Sequence, residues 1–533
     1  MELHNENPFK IKSYQNAYLN LRKLDQSLST YTIEELMQIK GIGEAIAEKI
    51  QSLVLTGAMP TLEKYKAKTP PGVVEMLKIN GLGPKKVAII WKELGIESPG
   101  ELLYACNENR LVELKGFGEK TQSSIIQAIG FLHSTGGKYL HTSVNHQAER
   151  IMQLLTEINP QAIHSITGSL RLGHSIVEQL DILTTCTRYD LDKITVTQGM
   201  EWTRSTDEAY LGLWNEFLVV KINLTDPEHW ADQLIQTTGP QSYLNKNKRL
   251  VIQTSQSEEG IYRQAQLPYV APELREIIQI EDWSQPKLDQ LIRRQQINGI
   301  IHSHSTYSDG IHSLEDMANA TKLAGFEYLA ITDHSQAAAY ARGLKPEKLF
   351  IQWAEIDALN QKNIPFRILK GIECDILASG QLDYEEVILK QFELVIASIH
   401  SAFQMDIEKA TSRIIKAIES PFTNIVGHPT GRLLLTRAGY PLHMTKIIDA
   451  CKANQVALEL NANPQRLDLD YGFIQDCMDQ GVYIAINPDA HNMSSIHDID
   501  YGVLAARKGK LTSEFCLNTM GVDELLKFCH KKK

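Results

Sequence analysis

GIIHSHSTYSDG, residues 299–310, is an apolar run that closes on two histidines one residue apart and then an aspartate in the following loop. Six later runs share its plan: YLAITDH (328–334), FRILKGIEC (366–374), ELVIASIH (393–400), NIVGHP (424–429), VALELNA (456–462) and VYIAINPDAH (482–491). Helical stretches separate them. Apolar strands alternating with helices argue for a parallel α/β unit, expected here to be a barrel. In such a barrel the strand ends converge on one face, where active sites collect.

These runs supply His302, His304, Asp309, His334, Glu373, His400, His428, Asp489 and His491. All but Asp309 lie at or just beyond a strand end; Asp309 follows in the loop after the first. Imidazole and carboxylate ligands without cysteine suit Mn²⁺, Zn²⁺ or Fe²⁺ better than a structural thiolate zinc. Nine donors are too many for one ion, and shared out with Glu373 as a bridge they would serve three. One such histidine alone would read as a core residue or a strand-end hydrogen-bonder; nine donors in order do not. Cys374, beside Glu373, is expected to be a packed thiol.

At 533 residues the chain exceeds a single core, and domain sizes imply roughly three or four units. A hydrophobic fraction of 43% and a charged fraction of 22% are those of a globular protein. The net charge of −10 excludes an indiscriminate nucleic-acid-coating protein but not local basic patches. Seven cysteines are scattered without a CxxC pair, as expected for reduced intracellular thiols. No apolar leader or membrane-length run is present, so a cytoplasmic location with no membrane association is expected.

The first 135 residues read as short amphipathic helices broken by glycine turns. TIEELMQIKGIGEAIAEKIQSLVLTG (32–57), EMLKINGLGPKKVAIIWKELGI (75–96) and RLVELKGFGEKTQSSIIQAIGFL (110–132) each place a Gly-apolar-Gly turn between two helices. Gly41 and Gly43, Gly81 and Gly83, and Gly116 and Gly118 permit the tight turn and leave no Cβ between it and a ligand. The helix that follows aims unsatisfied N–H groups at the turn, where phosphate fits. Lys85, Lys86 and Lys120 add charge nearby. One copy could be a mere helix connector. Three in the same register point to helix-hairpin-helix modules gripping the DNA backbone without reading bases.

Between the two regions lies GSLRLGHSIVEQLDIL (168–183), a Gly-Ser turn followed by a strand ending in Asp181. With the hairpins before it and the metal motifs after it, the chain resembles bacterial family X DNA polymerases over nearly its whole length. YVAPELRE (269–276) and GVLAARKGKLTSEFCLNT (502–519) are similar to the family's thumb and terminal segments. The resemblance implies a multidomain α and α/β architecture: a helical helix-hairpin-helix region (1–135), a nucleotidyltransferase-like palm and thumb (138–285), and a C-terminal PHP (polymerase and histidinol phosphatase) domain (297–533) folded as a distorted (β/α)7 barrel. It also implies a ligand set. One ion would take His302, His304, Glu373 and Asp489; a second Glu373, His400 and His428; the third Asp309, His334 and His491.

The palm departs from the family's pattern of Gly-Ser-x-Arg-Arg, Asp-x-Asp and a later third Asp. Gly168, Ser169 and Arg171 fit, but Leu172 replaces the second Arg, Gln179-Leu180-Asp181 stands for Asp-x-Asp, and Lys221 in FLVVKINL (217–224) takes the third carboxylate position. Nucleotide addition needs divalent ions held by hard oxygen ligands. One aspartate beside a lysine cannot hold two of them, and Glu178 is one residue out of register, facing the other side of its strand. A polymerase-dead palm, retaining only a vestigial nucleotide site, is the expectation. Lys49 aligns with the family's sugar-phosphate lyase lysine, but the supporting lysine is Ala45 here, so a solvated helix-face lysine is the plainer reading.

With Glu373 and Asp489 taken as catalytic carboxylates, a water bridging two of the ions would lose a proton and attack a phosphate ester. Arg432 and Arg466 could clamp the phosphate, or could form structural salt bridges, Arg466 with Asp468. The expected function is a metal-dependent phosphodiesterase acting on gapped or single-stranded DNA ends, a 3′→5′ exonuclease in repair. The alternatives are a gap-filling polymerase, a phosphomonoesterase of the histidinol-phosphate type, and a non-catalytic DNA-binding scaffold.

Overall fold

The computed structural model describes residues 1–530 apart from 25, 80, 113, 115, 133–136, 252–254, 363 and 364. The chain divides into two compact units, Met1–Leu132 and His133–Lys533. The boundary expected at 135 falls outside the described residues.

The first unit is helical. In its three hairpins the first glycine takes a left-handed conformation, φ 86° at Gly41, 87° at Gly81 and 90° at Gly116, which a side chain would resist. The second glycine caps the outgoing helix at Gly43 (α1, Glu44–Thr56) and Gly83 (α2, Pro84–Leu94). Gly118 precedes α3 (Glu119–Leu132). Ile42, Leu82 and Phe117, the apolar residues between the glycines, are all buried and anchor each turn to the core. The third hairpin corrects the sequence reading. Its incoming arm, expected to be helical from Arg110, is a turn over its described residues. The preceding helix stops at Asn107 because Asn109 adopts φ 55°, a common helix terminator, and Arg110 pairs with buried Glu108.

The second unit opens with the long helix α4 (His141–Ile158) and a five-stranded sheet: β1 (His164–Thr167), β2 (Gln179–Thr184), β3 (Met200–Ser205), β4 (Ala209–Trp214) and β5 (Leu218–Leu224), in the order β1-β2-β5-β4-β3. Its alternation is plain in β5, where Leu218, Val220 and Ile222 are buried and Val219, Lys221 and Asn223 face outward, as a half-covered sheet requires. Small helices with their own core around Ile261, Tyr262, Val270 and Leu274 follow.

Seven parallel strands then form one sheet in sequential order: β6 (Gly299–Ile300), β7 (Tyr328–Ile331), β8 (Arg367–Asp375), β9 (Leu394–Ser398), β10 (Ile425–Val426), β11 (Ala457–Asn461) and β12 (Ile484–Asn487). The ring closes between the extensions of the first and last strands, where Ser303 and Ala490 form a parallel bridge and the His304 N–H donates to the Ala490 carbonyl at 2.8 Å. Alternate residues sort into two cores. Tyr328, Ala330, Leu369, Leu394, Ile396, Ile425, Ala457 and Ala485 fill the interior; Leu329, Ile331, Val395, Leu458, Ile484 and Ile486 pack outward under the helices. The C-terminal helix contributes Leu525, Phe528 and Cys529 to the interior group, covering one end of the barrel and leaving the metal motifs at the other.

Helix α5 (Ile499–Lys508) ties this barrel to the preceding sheet domain. The Lys508 ammonium donates to the Leu172 carbonyl (3.1 Å), and the Tyr501 hydroxyl donates to Thr142 (2.9 Å). Just before α5, burial and the neighbouring Asp500 push the Asp498 carboxyl up to about 7. Its folded value thus lies above its unfolded one near 3.9. The protonated carboxyl is the form the fold favours, and its contribution, complete below pH ~4, is lost as pH rises through 7. Asp498→Asn should therefore be more stable than the parent at pH 8, by on the order of 1–2 kcal/mol, with no difference at pH 4. Denaturant titrations at the two pH values measure this; equal gains at both would refute it.

Candidate metal centre

Strand parity places the centre. In β8, Leu369 points into the barrel, so Gly371 and Glu373 do too. His334 follows β7, His400 follows β9, His428 follows β10, and Asp489 and His491 follow β12. All nine sequence-identified donors meet at this end. Eight are buried, and the His400 side chain is 5% exposed.

The two oxygens of Glu373 face different partners. Oε1 lies 3.1 Å from His400 Nε2 and 2.9 Å from His428 Nε2. Oε2 lies 3.5 Å from His302 Nε2, 3.6 Å from His304 Nε2 and 2.9 Å from His334 Nδ1. Asp489 Oδ1 is 3.4 Å from His302 Nε2 and 3.0 Å from His304 Nε2. Asp309 reaches His334 Nε2 and His491 Nε2, each at 3.4 Å. Ligands held about 2.0–2.2 Å from a shared ion stand about 3.0–3.5 Å from one another, and most of these separations fall in that range. Ligand atoms within 4.8 Å of one another form three groups: His304, Asp309, His334 and His491; His302, His304 and Asp489; and His334, Glu373 and His400.

The electrostatics point the same way. Burial opposes ionisation of Glu373, Asp489 and Asp309, yet the surrounding imidazoles hold all three well below the ordinary carboxylate range. Burial would depress His302, but Asp489, Glu459 and Glu373 raise it well above the usual histidine value. His304 is pushed down to about 3 by burial and by His491 and His334. Three ionised carboxylates in a water-poor barrel mouth demand cations. His302 Nε2, both ring nitrogens of His334 and Glu373 Oε2 are buried without a hydrogen bond. Such orphaned atoms are uncommon unless something else satisfies them. The donor set fits divalent metal ions.

Several contributors carried no sequence signal of their own. Asp375 accepts from His400 Nδ1 at 2.6 Å, and Glu459 from His302 Nδ1 at 2.7 Å. Asp333 ties down the loop between His304 and Asp309 by accepting from the Ser305 N–H (2.8 Å), the Ser308 N–H (3.2 Å) and both serine hydroxyls.

Both candidate phosphate clamps are structurally engaged. Arg432 pairs with Asp470 at 2.6 Å and donates to the carbonyls of Arg466 and Leu467. Arg466 is buried, and the charges of Arg432 and Arg466 offset the burial that raises Asp468.

In the sheet domain, Asp181 on β2 pairs in register with Lys221 on β5, and the Gln179 amide donates to Asp181 at 2.7 Å. Burial raises the Asp181 carboxyl, with Gln179 and Lys221 working against it. Gly168 sits at φ 60°, and a Cβ there would meet Asp181 Oδ2 at 2.5 Å. Ser169 follows it in a four-residue helix that runs to Arg171. Arg171 is held by a two-pronged pair with Glu258 (3.1 and 2.8 Å). Glu178 is exposed, 3.6 Å from Lys138.

In the helical unit, nothing among the described residues would come within 4 Å of a Cβ at Gly43, Gly81, Gly83, Gly116 or Gly118, so these turns are open. Lys85 and Lys120 are exposed, while Lys86 rests 5.6 Å over the Phe117 ring. At Gly41 a Cβ would stand 3.4 Å from Asn20. Lys49 donates to the Ala45 carbonyl one helical turn back at 2.7 Å.

Comparison with known proteins agrees with this geometry. Residues 1–59 match a helix-hairpin-helix domain, 73–130 a SAM-like helix-hairpin-helix tandem, and 301–463 the PHP domain. The chain is 35% identical to the DNA polymerase/3′-5′ exonuclease PolX of Bacillus subtilis, over 99% of this chain and 96% of that protein. The chain belongs to the PolX family. It is also 28% identical to a probable phosphatase of Thermoanaerobacter sp., over 44% of this chain and 94% of the relative, and 26% identical to one of Acetivibrio thermocellus, over 44% and 95%. No helix among the described residues is long and apolar enough to cross a membrane.

If ions neutralise the buried carboxylates, metal should stabilise the fold by mass action, about 2.7 kcal/mol for a site at a hundredfold excess over its Kd. Calorimetry should show a Tm several degrees higher with Mn²⁺ than with a chelator, and a much smaller difference in Glu373→Gln. Identical melting of the parent under both conditions would contradict the assignment.

Proposed function

We propose that this PolX-family chain is a metal-dependent phosphodiesterase that trims DNA from the 3′ end in repair, with a palm that no longer polymerises. The observation that carries the reading is the gathering of all nine donors around Glu373, with its two oxygens facing different histidines. The name of the B. subtilis relative supports the chemistry and the substrate, and the open hairpin turns support DNA as the ligand.

One ion would rest on His302, His304, Glu373 and Asp489, a second on Glu373, His400 and His428, and a third on Asp309, His334 and His491; Mn²⁺, Zn²⁺ and Fe²⁺ all suit such ligands. Bound divalent ions supply Lewis-acid polarisation of the phosphoryl oxygens and a water acidic enough to attack at neutral pH. The chain's own work is to hold these donors apart from bulk water and aimed inward. The hairpin turns grip DNA through backbone N–H groups, which position a strand without reading sequence. His304, with Nε2 at 3.0 Å from Asp489 and Nδ1 at 3.7 Å from Asp309, links the groups into one cluster.

The palm reading rests on the register of Asp181 with Lys221. An ammonium sits where a polymerase needs a carboxylate, and the amide of Gln179 occupies the remaining ligand position. Gly168, Ser169 and Arg171 then form a vestigial cradle.

Purified protein with Mn²⁺ should release nucleotides from a labelled 3′ end on single-stranded and gapped DNA, leave a small phosphomonoester nearly untouched, and lose at least a hundredfold in rate on His302→Ala. Primer extension should stay at background. Hydrolysis of only the monoester would favour a phosphatase, and extension abolished by Asp181→Ala would restore the polymerase reading.

A further inference from the structure

The donor cluster is wrapped by acids that are not among its nine members, and three hydrogen bonds from its histidines form a pattern. His302 Nδ1 donates to Glu459 at 2.7 Å, His400 Nδ1 donates to Asp375 at 2.6 Å, and His491 Nδ1 donates to the carbonyl of Asp489 at 2.9 Å. In each ring the hydrogen bond places a proton on Nδ1, so Nε2 is the nitrogen left to ligate, the one turned toward Glu373, Asp489 or Asp309. Under the ligand sharing proposed above, these three histidines belong to three different ions. Each ion then has one imidazole whose tautomer and plane are set from outside.

We propose that Glu459 and Asp375 are positioning residues that hold His302 and His400 in the metal-binding tautomer, each governing a different ion of the cluster. This rests on the metal-centre reading above. Partners of this kind orient a ligand ring and raise its basicity, and their loss typically weakens metal affinity about ten- to a hundredfold.

Glu459 is fully buried on β11, the one barrel strand that supplies none of the nine donors. Both of its oxygens are committed. Oε1 accepts from His302 and from the Asn487 amide (2.8 Å); Oε2 accepts from the His428 N–H (2.6 Å) and the Asn461 amide (3.3 Å). His428 adopts φ 26°, a conformation a histidine rarely takes, and the carboxylate receives its N–H there. This geometry makes Glu459→Gln informative. The amide oxygen must stay with the His428 N–H, which can only donate. The amide NH₂ then faces His302 Nδ1 and forces it to accept, moving the ring proton to Nε2, the ligating atom. Asp375 is simpler: its Oδ1 is the acceptor for His400, and Asp375→Ala removes it without offering a donor.

The test is a Mn²⁺ titration of the full-length chain, in which electron paramagnetic resonance counts the unbound ion. Glu459→Gln should weaken one class of site ten- to a hundredfold, Asp375→Ala should weaken one class similarly, and the double variant should weaken two. Melting in chelator, where no ion is held, reports any purely structural damage separately. A variant that melts lower in chelator but binds Mn²⁺ like the parent overturns the proposal for that residue. A parent chain that binds no Mn²⁺ overturns the metal-centre reading instead. If Glu459→Gln does not fold, Asp375→Ala alone decides, since its carboxylate joins fewer partners.

Discussion

Three carboxylates buried together would repel one another and lose their hydration, a combination that interiors avoid unless positive charge compensates. Asp309, Glu373 and Asp489 stand in that situation at the mouth of the barrel, six imidazoles around them. Histidine alone is a poor solution, because the rings crowd: His304 lies 4.2 Å from His491 and 4.5 Å from His334 between ring centroids. Protonating all of them would exchange one repulsion for another. Divalent ions resolve both, drawing the acids and the neutral rings to a common centre. The arrangement makes sense only as an apparatus for holding cations, and the barrel can be understood as the frame that tolerates it.

The frame does so by parity and by closure. Inward positions are apolar through the body of each strand and turn acidic or imidazole only at the far end, so the charged layer rests on a dry layer of Ile396, Ile425 and Ala457. The bridge between Ser303 and Ala490 joins the first and last strand extensions, which carry His302, His304, Asp489 and His491. Without that closure the first proposed ligand group would be split across a sheet edge. Two positive-φ residues, His428 at 26° and Asp489 at 53°, show that the backbone is bent away from its easy conformations where the donors are aimed, a familiar property of functional sites.

The convergence of the nine side chains was legible because all but Asp309 stand at or just beyond the end of an apolar run, and strand ends of a parallel barrel must meet. Their surroundings were not. Glu459 carries no motif, and its partners His302 and Asn487 lie far from it in the chain. Arg432 was a fair candidate for a phosphate clamp until the fold brought Asp470 and two carbonyls to it, contacts that no local spacing announces. The helical arm before Gly116 failed for another reason. Propensity and periodicity both favoured helix there, but Asn109 turned left-handed and the buried Arg110–Glu108 pair replaced the next turn.

In the sheet domain a single acid stands between an amide and an ammonium. The hydrophobic face beneath it has Leu180, Ile182, Val220 and Ile222 fully buried, and Gly168 approaches Asp181 closely. On the outward face Gln179 and Lys221 flank Asp181. With ions absent, three clustered carboxylates would repel, whereas an amide donor and an ammonium beside Asp181 each favour its charged form. Residues that stabilise a lone aspartate suit a face held by its packing, and this domain is joined to the barrel through Lys508 and Tyr501.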